Sequence, residues 1–235
     1  MTAAIPLLSL RNVSKTFGPL NAVTNVSEVF GPEELSCIIG PNGAGKSTLL
    51  NMICGTLPLS SGSIHFGDTS IGGLKADRIA RLGITRKFQI PSVFPSLTVL
   101  ENFKVSAVSD LTEKQLQDIL DTVNLRDVQG SYASELPHGK KQWLEIGMAL
   151  SMRPKVLLLD EPTAGLSVDE TRATAEFLRT LKGRVTVVVI EHDMAFVRDL
   201  KARTIVLNHG EVIASGSFED VENDHVVRDV YLGRQ

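Results

Sequence analysis

Gly40-Pro41-Asn42-Gly43-Ala44-Gly45-Lys46-Ser47-Thr48 decides how the rest of the chain is read. The stretch fits G-x-x-x-x-G-K-[ST], the spacing of a phosphate-cradling P-loop. Apolar Leu35-Ser36-Cys37-Ile38-Ile39 precedes it and predicts a buried strand. Leu49, Leu50 and Ile53 follow at helical spacing and predict a helix packed on that strand. The glycines let the backbone turn its N–H groups onto phosphate oxygens, and the helix N-terminus adds partial positive charge. In such a loop Lys46 reaches the β- and γ-phosphates and the Ser47 hydroxyl binds Mg²⁺. A chance glycine-rich turn is the competing explanation, but it does not require a strand before and a helix after. The stretch reads as a nucleotide site.

The totals set bounds around that site. A length of 235 residues allows one large α/β domain or two small ones. The net charge of −3, with both signs interspersed, gives no electrostatic footprint for nucleic acid. Cys37 and Cys54 lie in apolar contexts and suggest neither a disulfide framework nor a metal site, so a reducing compartment is expected. No basic region followed by an apolar run opens the chain, so no signal peptide is expected. Apolar runs such as Val187-Val188-Val189-Ile190 are strand-length and short of a membrane span. A soluble chain is expected, with any membrane role supplied through a partner.

Residues 5–30 alternate weakly and are broken by Gly18-Pro19 and Gly31-Pro32, which predicts short strands and turns. Phe17 falls among them and is open to two readings, a core side chain or a ring that stacks on a purine. Ser60-Ser61-Gly62-Ser63 reads as a turn, Ile64 to Gly67 as a brief strand, Ala76 to Arg81 as a helix ending near Gly83, and Ile84 to Gln89 as a strand. Residues 92–151 change character. Helical patterns run over Thr98–Ala107, Thr112–Val123 and about Lys140–Met152, with Thr112 and Gln115 spaced as a capping box. Val156 to Leu159 is a continuous apolar run, as expected of a parallel strand buried on both faces. An amphipathic helix over Asp169–Lys182, a buried strand over Val185–Ile190 and a short helix over Met194–Leu200 follow. A hairpin turning at Asn208-His209-Gly210 and a single helix over Phe218–Val230 end the pattern. The expected architecture is α/β: residues 1–91 and 152–235 form a nucleotide-binding core with an antiparallel β layer, and 92–151 an inserted helical subdomain.

Asp160 and Glu161 directly follow the apolar strand. A carboxylate there sits beside the P-loop, where Asp160 can hold Mg²⁺ through its water shell. Glu161 can then polarise a water for attack on the γ-phosphorus. A solvated acidic pair is the alternative. More than a hundred residues separate Thr48 from Asp160, and no N-K-x-D guanine-reading motif occurs. With these features the chain resembles, over essentially its whole length, the ATP-binding subunits of ABC transporters.

That resemblance implies a P-loop NTPase fold of the ABC type, ATP and Mg²⁺ as cofactors, and ATP hydrolysis coupled to transport. It implies that Gly40 to Ser47 is the Walker A loop and Val156 to Asp160 Walker B, with Glu161 the catalytic carboxylate. Gln89 matches the Q-loop glutamine, a Mg²⁺ ligand at the hinge to the helical subdomain. His192 matches the switch histidine at the γ-phosphate, and Phe17 the adenine-stacking aromatic. Two motifs depart from the family pattern. The usual Leu-Ser-Gly-Gly-Gln signature is Leu136-Pro137-His138-Gly139-Lys140, and Pro137 has neither hydroxyl nor N–H. The usual Gly-Leu-Asp is Gly165-Leu166-Ser167. In this family subunits pair head to tail, with each ATP between one Walker A and the partner's signature. A heterodimer with a paralogous ATP-binding subunit, one strong and one weak site, is therefore expected, a homodimer remaining possible.

Thr85-Arg86-Lys87-Phe88-Gln89, Val93 to Asn102 and His138 to Met148 resemble the hydrophobic amino acid and amide importers, nearest to the urea transporter's ATP-binding subunit. The expected function is to power uptake of urea or a similar small amide or amino acid; the alternative is a branched-chain amino acid importer. The resemblance implies two transmembrane permease subunits, an indirectly associated periplasmic substrate-binding protein, and a bacterial, peripheral location on the cytoplasmic face of the inner membrane. Phe94 and its apolar neighbours are expected to line a groove for the permeases, with ordinary packing as the alternative. A soluble ABC ATPase of DNA repair or translation fits less well, because the chain has no coiled-coil arm, second ATPase domain or basic surface. A non-hydrolytic regulatory subunit is favoured only by the altered signature.

Overall fold

A computed structural model describes residues 7–87 and 93–232. The fold is built on a six-stranded sheet in the order β10-β9-β3-β8-β7-β6. Its parallel strands are β3 (Leu35–Ile39), β6 (Ile84–Lys87), β7 (Val156–Asp160), β8 (Thr186–Ile190) and β9 (Arg203–Asn208), and β10 (Glu211–Gly216) returns antiparallel from β9. Every residue of β3, β7 and β8 is buried, because both faces of these strands are covered. The period of two divides their side chains between two cores. Cys37, Leu157, Leu159, Val187 and Val189 join the helices on one face; Ile38, Leu158, Val188 and Ile190 join α1 (Lys46–Ile53) and a second sheet on the other.

That second sheet is antiparallel, in the order β2-β1-β4-β5, from β1 (Leu8–Phe17), β2 (Leu20–Phe30), β4 (Ser61–Phe66) and β5 (Thr69–Ser70). The strands expected over 5–30 are correctly placed but longer than expected. Bulges break the alternation: the β1–β2 register shifts between Leu10 and Lys15, and Asn12 and Asn25 adopt φ of +48° and +50°. The turn expected at Ser60–Ser63 is a second correction, since β4 already runs from Ser61. Gly62 serves close backbone approach there, where a Cβ would lie 2.3 Å from the Asn12 carbonyl oxygen.

α2 (Ala76–Leu82) ends at Gly83, as the sequence reading expected. The helical region comprises α3 (Val99–Ser106), α4 (Glu113–Thr122) and α5 (His138–Ser151). Thr98 with Glu101 and Thr112 with Gln115 cap α3 and α4 as reciprocal boxes. α5 begins two residues earlier than expected, because Pro137 supplies its N-cap, a position that needs no N–H from proline. α6 (Val168–Thr180) and α7 (Met194–Leu200) pack beside it on the same face. The single C-terminal helix is also corrected. Asp224 ends α8 (Phe218–Asn223), and its carboxylate accepts the N–H groups of Val226 and Val227 at 2.8 and 3.2 Å, starting α9 (His225–Leu232) afresh.

Candidate nucleotide site

Three neighbouring strand ends set the level of the site. Ile190 lies opposite both Ile38 and Asp160, so the segments leaving β3, β8 and β7 emerge side by side at the C-terminal edge of the sheet. Beyond β3 the loop passes so close to its neighbours that a Cβ on Gly40 would lie 2.2 Å from the Leu207 carbonyl oxygen. Gly45 combines φ +101° with a virtual Cβ 2.4 Å from the Ala22 carbonyl oxygen, so only glycine fits the start of α1. α1 carries no side-chain cap and no acid in its first turn, which leaves its leading N–H groups for an anion. Lys46 Nζ donates to the carbonyl oxygens of Gly40 and Pro41 at 2.7 and 3.1 Å. Burial pushes the Lys46 ammonium below its ordinary value, and Glu161, Asp160 and Glu191 oppose that shift.

A cleft of about 470 Å³ opens above this loop, lined by Phe17, Leu20, Asn21, Ala22, Asn42 to Thr48, Glu161 and His209. Phe17 is 46 % exposed, so its ring faces the cleft and is not core; Lys15 Nζ lies 5.1 Å from its centroid. The β9–β10 turn is stapled to the loop from the other side. Gly210 N–H donates to the Ala44 oxygen at 3.0 Å, and the Gly210 oxygen accepts from Thr24 N–H at 2.8 Å. This brings His209 to the cleft wall, a position the hairpin pattern in the sequence did not signal.

Glu161 turns out of β7 with φ +47°, a conformation costly for a side-chain-bearing residue and typical of functional corners, held by its N–H on the Ile190 oxygen at 2.9 Å. Its Oε1 lies 3.5 Å from His192 Nδ1, so the two hydrolytic candidates are brought together. Behind them sits Glu191, fully buried. Its Oε1 accepts from Thr163 N–H at 3.1 Å and from the Thr163 hydroxyl at 2.6 Å, and its Oε2 from His192 N–H at 3.1 Å. Burial pushes the Glu191 carboxyl above its ordinary value, against the pull of these bonds.

Asp160 does not line the cleft. It lies just below, buried, with Oδ2 2.7 Å from Arg86 Nη2, while Arg86 Nη1 donates to Asn51 Oδ1 of α1 at 2.5 Å. Sequence reading passed over Arg86 and Glu191, because contacts between neighbouring strands leave no local spacing to read. The signature residues stand elsewhere, and none lines the cleft. Leu136 is buried and Pro137 caps α5. His138 Nε2 lies 3.2 Å from the Ala164 oxygen, a Cβ on Gly139 would meet Glu170 Oε1 at 2.1 Å, and Lys140 is committed to Asp127 at 2.9 Å. Ser167 caps α6 through a box with Glu170. Gln89 lies outside the described residues.

The residues present suit a nucleoside triphosphate with Mg²⁺. The glycine cradle, the uncapped helix end and Lys46 match phosphate oxygens; Ser47, two residues into the same helix end, and Asp160 are the hard oxygen donors that Mg²⁺ selects. Among the described residues no helix is long and apolar enough to cross a membrane.

Comparison with known proteins agrees with this geometry. The ABC transporter family model matches residues 23–164. The high-affinity branched-chain amino acid transport ATP-binding protein LivG of Escherichia coli K12 is 34 % identical, covering 97 % of this chain and 98 % of that protein. Its counterpart BraF of Pseudomonas aeruginosa is 32 % identical over the same shares. Among solved structures, the ADP conformation of an ABC transporter ATP-binding cassette superposes with a TM-score of 0.86 at 29 % identity, covering 97 % of this chain and 99 % of that one. A dimeric bacterial cassette gives 0.75 at 27 %, covering 90 % and 98 %. The chain belongs to the ATP-binding, ATP-hydrolysing subunits of ABC transporters.

Proposed function

We propose that this chain powers an importer of branched-chain amino acids, hydrolysing ATP at the cleft between Phe17 and Glu161. The observation that supports this cargo is the likeness to LivG along nearly the whole of both chains. The urea reading rests on short stretches around 85–102 and 138–148, and whole-chain similarity favours the branched-chain alternative. In this reading Phe17 stacks on the adenine, Asn42 to Thr48 wrap the phosphates, and Lys46 pairs with the β- and γ-phosphates. Ser47, Asp160 and Gln89 would hold Mg²⁺, which would supply neutralisation of the phosphate charge. Glu161 takes a proton from the attacking water, and His192, 3.5 Å from it, faces the γ-phosphate.

Leu136 to Lys140 serve the nucleotide of a second ATP-binding subunit, which supplies its own signature in return. Pro137 brings no hydroxyl to that contact, so the pair is asymmetric, with this chain's Walker A in the stronger site. The complex includes two permease subunits on the cytoplasmic face of a bacterial membrane, fed by a periplasmic binding protein, with residues 92–151 as the subdomain that meets the permeases. Phe94, 46 % exposed and held at its backbone by Asn102, belongs to that contact. Co-purification from membranes, reconstitution in vesicles, and ATPase assays with binding proteins loaded with leucine, isoleucine, valine, urea or acetamide test the proposal. Stimulation by the branched-chain amino acids is expected. Stimulation by urea or acetamide alone, or by none, overturns the cargo assignment.

A further inference from the structure

We propose that Lys87, through Glu145 and Gln142, is the positioning link by which nucleotide at the cleft sets the placement of α5, an inference that rests on the nucleotide-site reading above. Lys87 ends β6, two residues before Gln89. Its ammonium is buried and lies 3.1 Å from Glu145 Oε2 in the middle of α5, with side-chain exposures of only 4 % and 5 %. The same ammonium donates to the Gln142 side-chain oxygen one turn earlier on α5. Gln142 Nε2 in turn lies 3.4 Å from the Ala164 oxygen, which His138 Nε2 also approaches at 3.2 Å. Ala164 follows Glu161 by three residues and its N–H donates to the Glu161 oxygen at 3.2 Å. One polar node therefore ties three segments together: the end of β6, the turn after the catalytic carboxylate, and the helix that opens with the signature.

The surroundings make a purely stabilising role a poor account of this node. Trp143, Leu144, Ile146, Gly147 and Met148 are buried around Glu145, and apolar packing of α5 needs no charge there. Taking two charges out of water offsets most of their attraction, so a buried pair is commonly no more stable than apolar side chains of similar volume. What such a pair does supply is one defined arrangement, because either charge left alone is strongly penalised. A shift of the turn after Glu161 or of the end of β6 must then carry α5 with it or break the node.

The chain holds its own reporter. Trp143 is its single tryptophan, lies on α5 between Gln142 and Glu145, and its Nε1 donates to the Thr174 hydroxyl of α6 at 2.9 Å. The test compares the unaltered chain with the double variant Lys87→Met/Glu145→Met, which removes both charges and keeps volume. Three quantities are measured: binding of a non-hydrolysable ATP analogue with Mg²⁺ by equilibrium dialysis, Trp143 fluorescence over the same titration, and the melting temperature. Expected are a nucleotide-dependent fluorescence change in the unaltered chain, its loss in the double variant, and analogue affinity and melting temperature that stay close to the parent's. A double variant that keeps the full fluorescence change overturns the proposal, as does an unaltered chain that binds the analogue with no change at Trp143. Should the double variant fold poorly, Lys87→Met/Glu145→Gln gives the same discrimination, since it too removes both charges and leaves neither one alone in the core. An unaltered chain that binds no analogue by dialysis refutes the nucleotide-site reading itself, and this inference with it.

Discussion

Replacing Glu191 by Gln should raise stability relative to the parent as pH rises, and lower activity. Glu191 is fully buried between the segment after Glu161 and the backbone of His192, and burial pushes its carboxyl above the ordinary 4.5. The folded state thus favours the protonated form. Above about pH 4.5 it binds more proton than the unfolded chain does, so the Glu191 contribution to stability falls as pH rises and levels off beyond the raised folded value. Glutamine has the shape of the protonated form and does not titrate. The stability difference between Glu191→Gln and the parent should therefore shift in the variant's favour as pH rises above about 4.5, by at most ~1.4 kcal/mol per pH unit. For a chain of this size each kcal/mol is worth about 2–4 °C of melting temperature. Activity moves the other way. The amide oxygen still accepts from Thr163, but its NH₂ meets the His192 N–H that Oε2 accepts at 3.1 Å in the parent. The backbone carrying His192 must move, and a misplacement of roughly 1 Å costs up to ~100-fold in turnover. Urea denaturation of both proteins across mildly acidic to mildly alkaline pH reads the Glu191 contribution, because titrating groups that do not interact with Glu191 cancel in the difference. A gap that stays flat, or that runs against the variant as pH rises, refutes the reasoning.

Four further substitutions probe the cleft and the signature. Phe17→Ala should raise the Kd for ATP about 5- to 150-fold, from loss of ~1–3 kcal/mol of base stacking, while thermal stability holds because the ring is nearly half exposed; equilibrium dialysis reads this, and unchanged affinity would place the base elsewhere. Gly45→Ala forces a methyl to within 2.4 Å of the Ala22 oxygen at φ +101°, whereas Gly43→Ala meets nothing within 4 Å at φ +81°. The Gly43 variant should lose only ~1–2 kcal/mol of backbone strain and the Gly45 variant clearly more, a ranking that denaturant melts of the pair will check. Pro137→Ser puts a capping hydroxyl at an N-cap that has none, with φ −56° and ψ 159° already suited to it. It should add ~0.5–2 kcal/mol of stability and speed hydrolysis in the reconstituted pair, and a rate that does not rise counts against the asymmetric-site proposal.

The fold was most legible where burial was complete. β3, β7 and β8 read directly as apolar runs, because strands covered on both faces carry no polar side to interrupt them. The antiparallel layer was under-read for the opposite reason. Bulges at Asn12 and Asn25 reset the alternation, so a strand of ten residues and another of eleven look like fragments. Ser60–Ser63 and the C-terminus failed because one residue type served another purpose. Gly62 lets two backbones meet inside a strand, and Asp224 stops one helix by capping the next. Composition shows the glycine and the aspartate; only the neighbour across the sheet or the following turn shows which use is made of them.

The site divides along the same line. In the proposed site, Gly40 to Thr48 is read directly from the chain because a loop that wraps a phosphate needs consecutive backbone groups, and Glu161 because it leaves an apolar strand whose end is fixed by the sheet. The residues that hold these groups in place obey no such local demand. Glu191 reaches Thr163 across 28 residues, Arg86 reaches Asp160 across 74, and Lys87 reaches Gln142 across 55. Each contact forms only once neighbouring strands have registered or α5 has docked on β6, so no period or spacing in the chain announces it. This separates two kinds of substitution experimentally. Changes in the loop itself should alter nucleotide affinity directly, whereas changes at Glu191 or Lys87 should leave affinity near its parent value and act on turnover or on the response of α5.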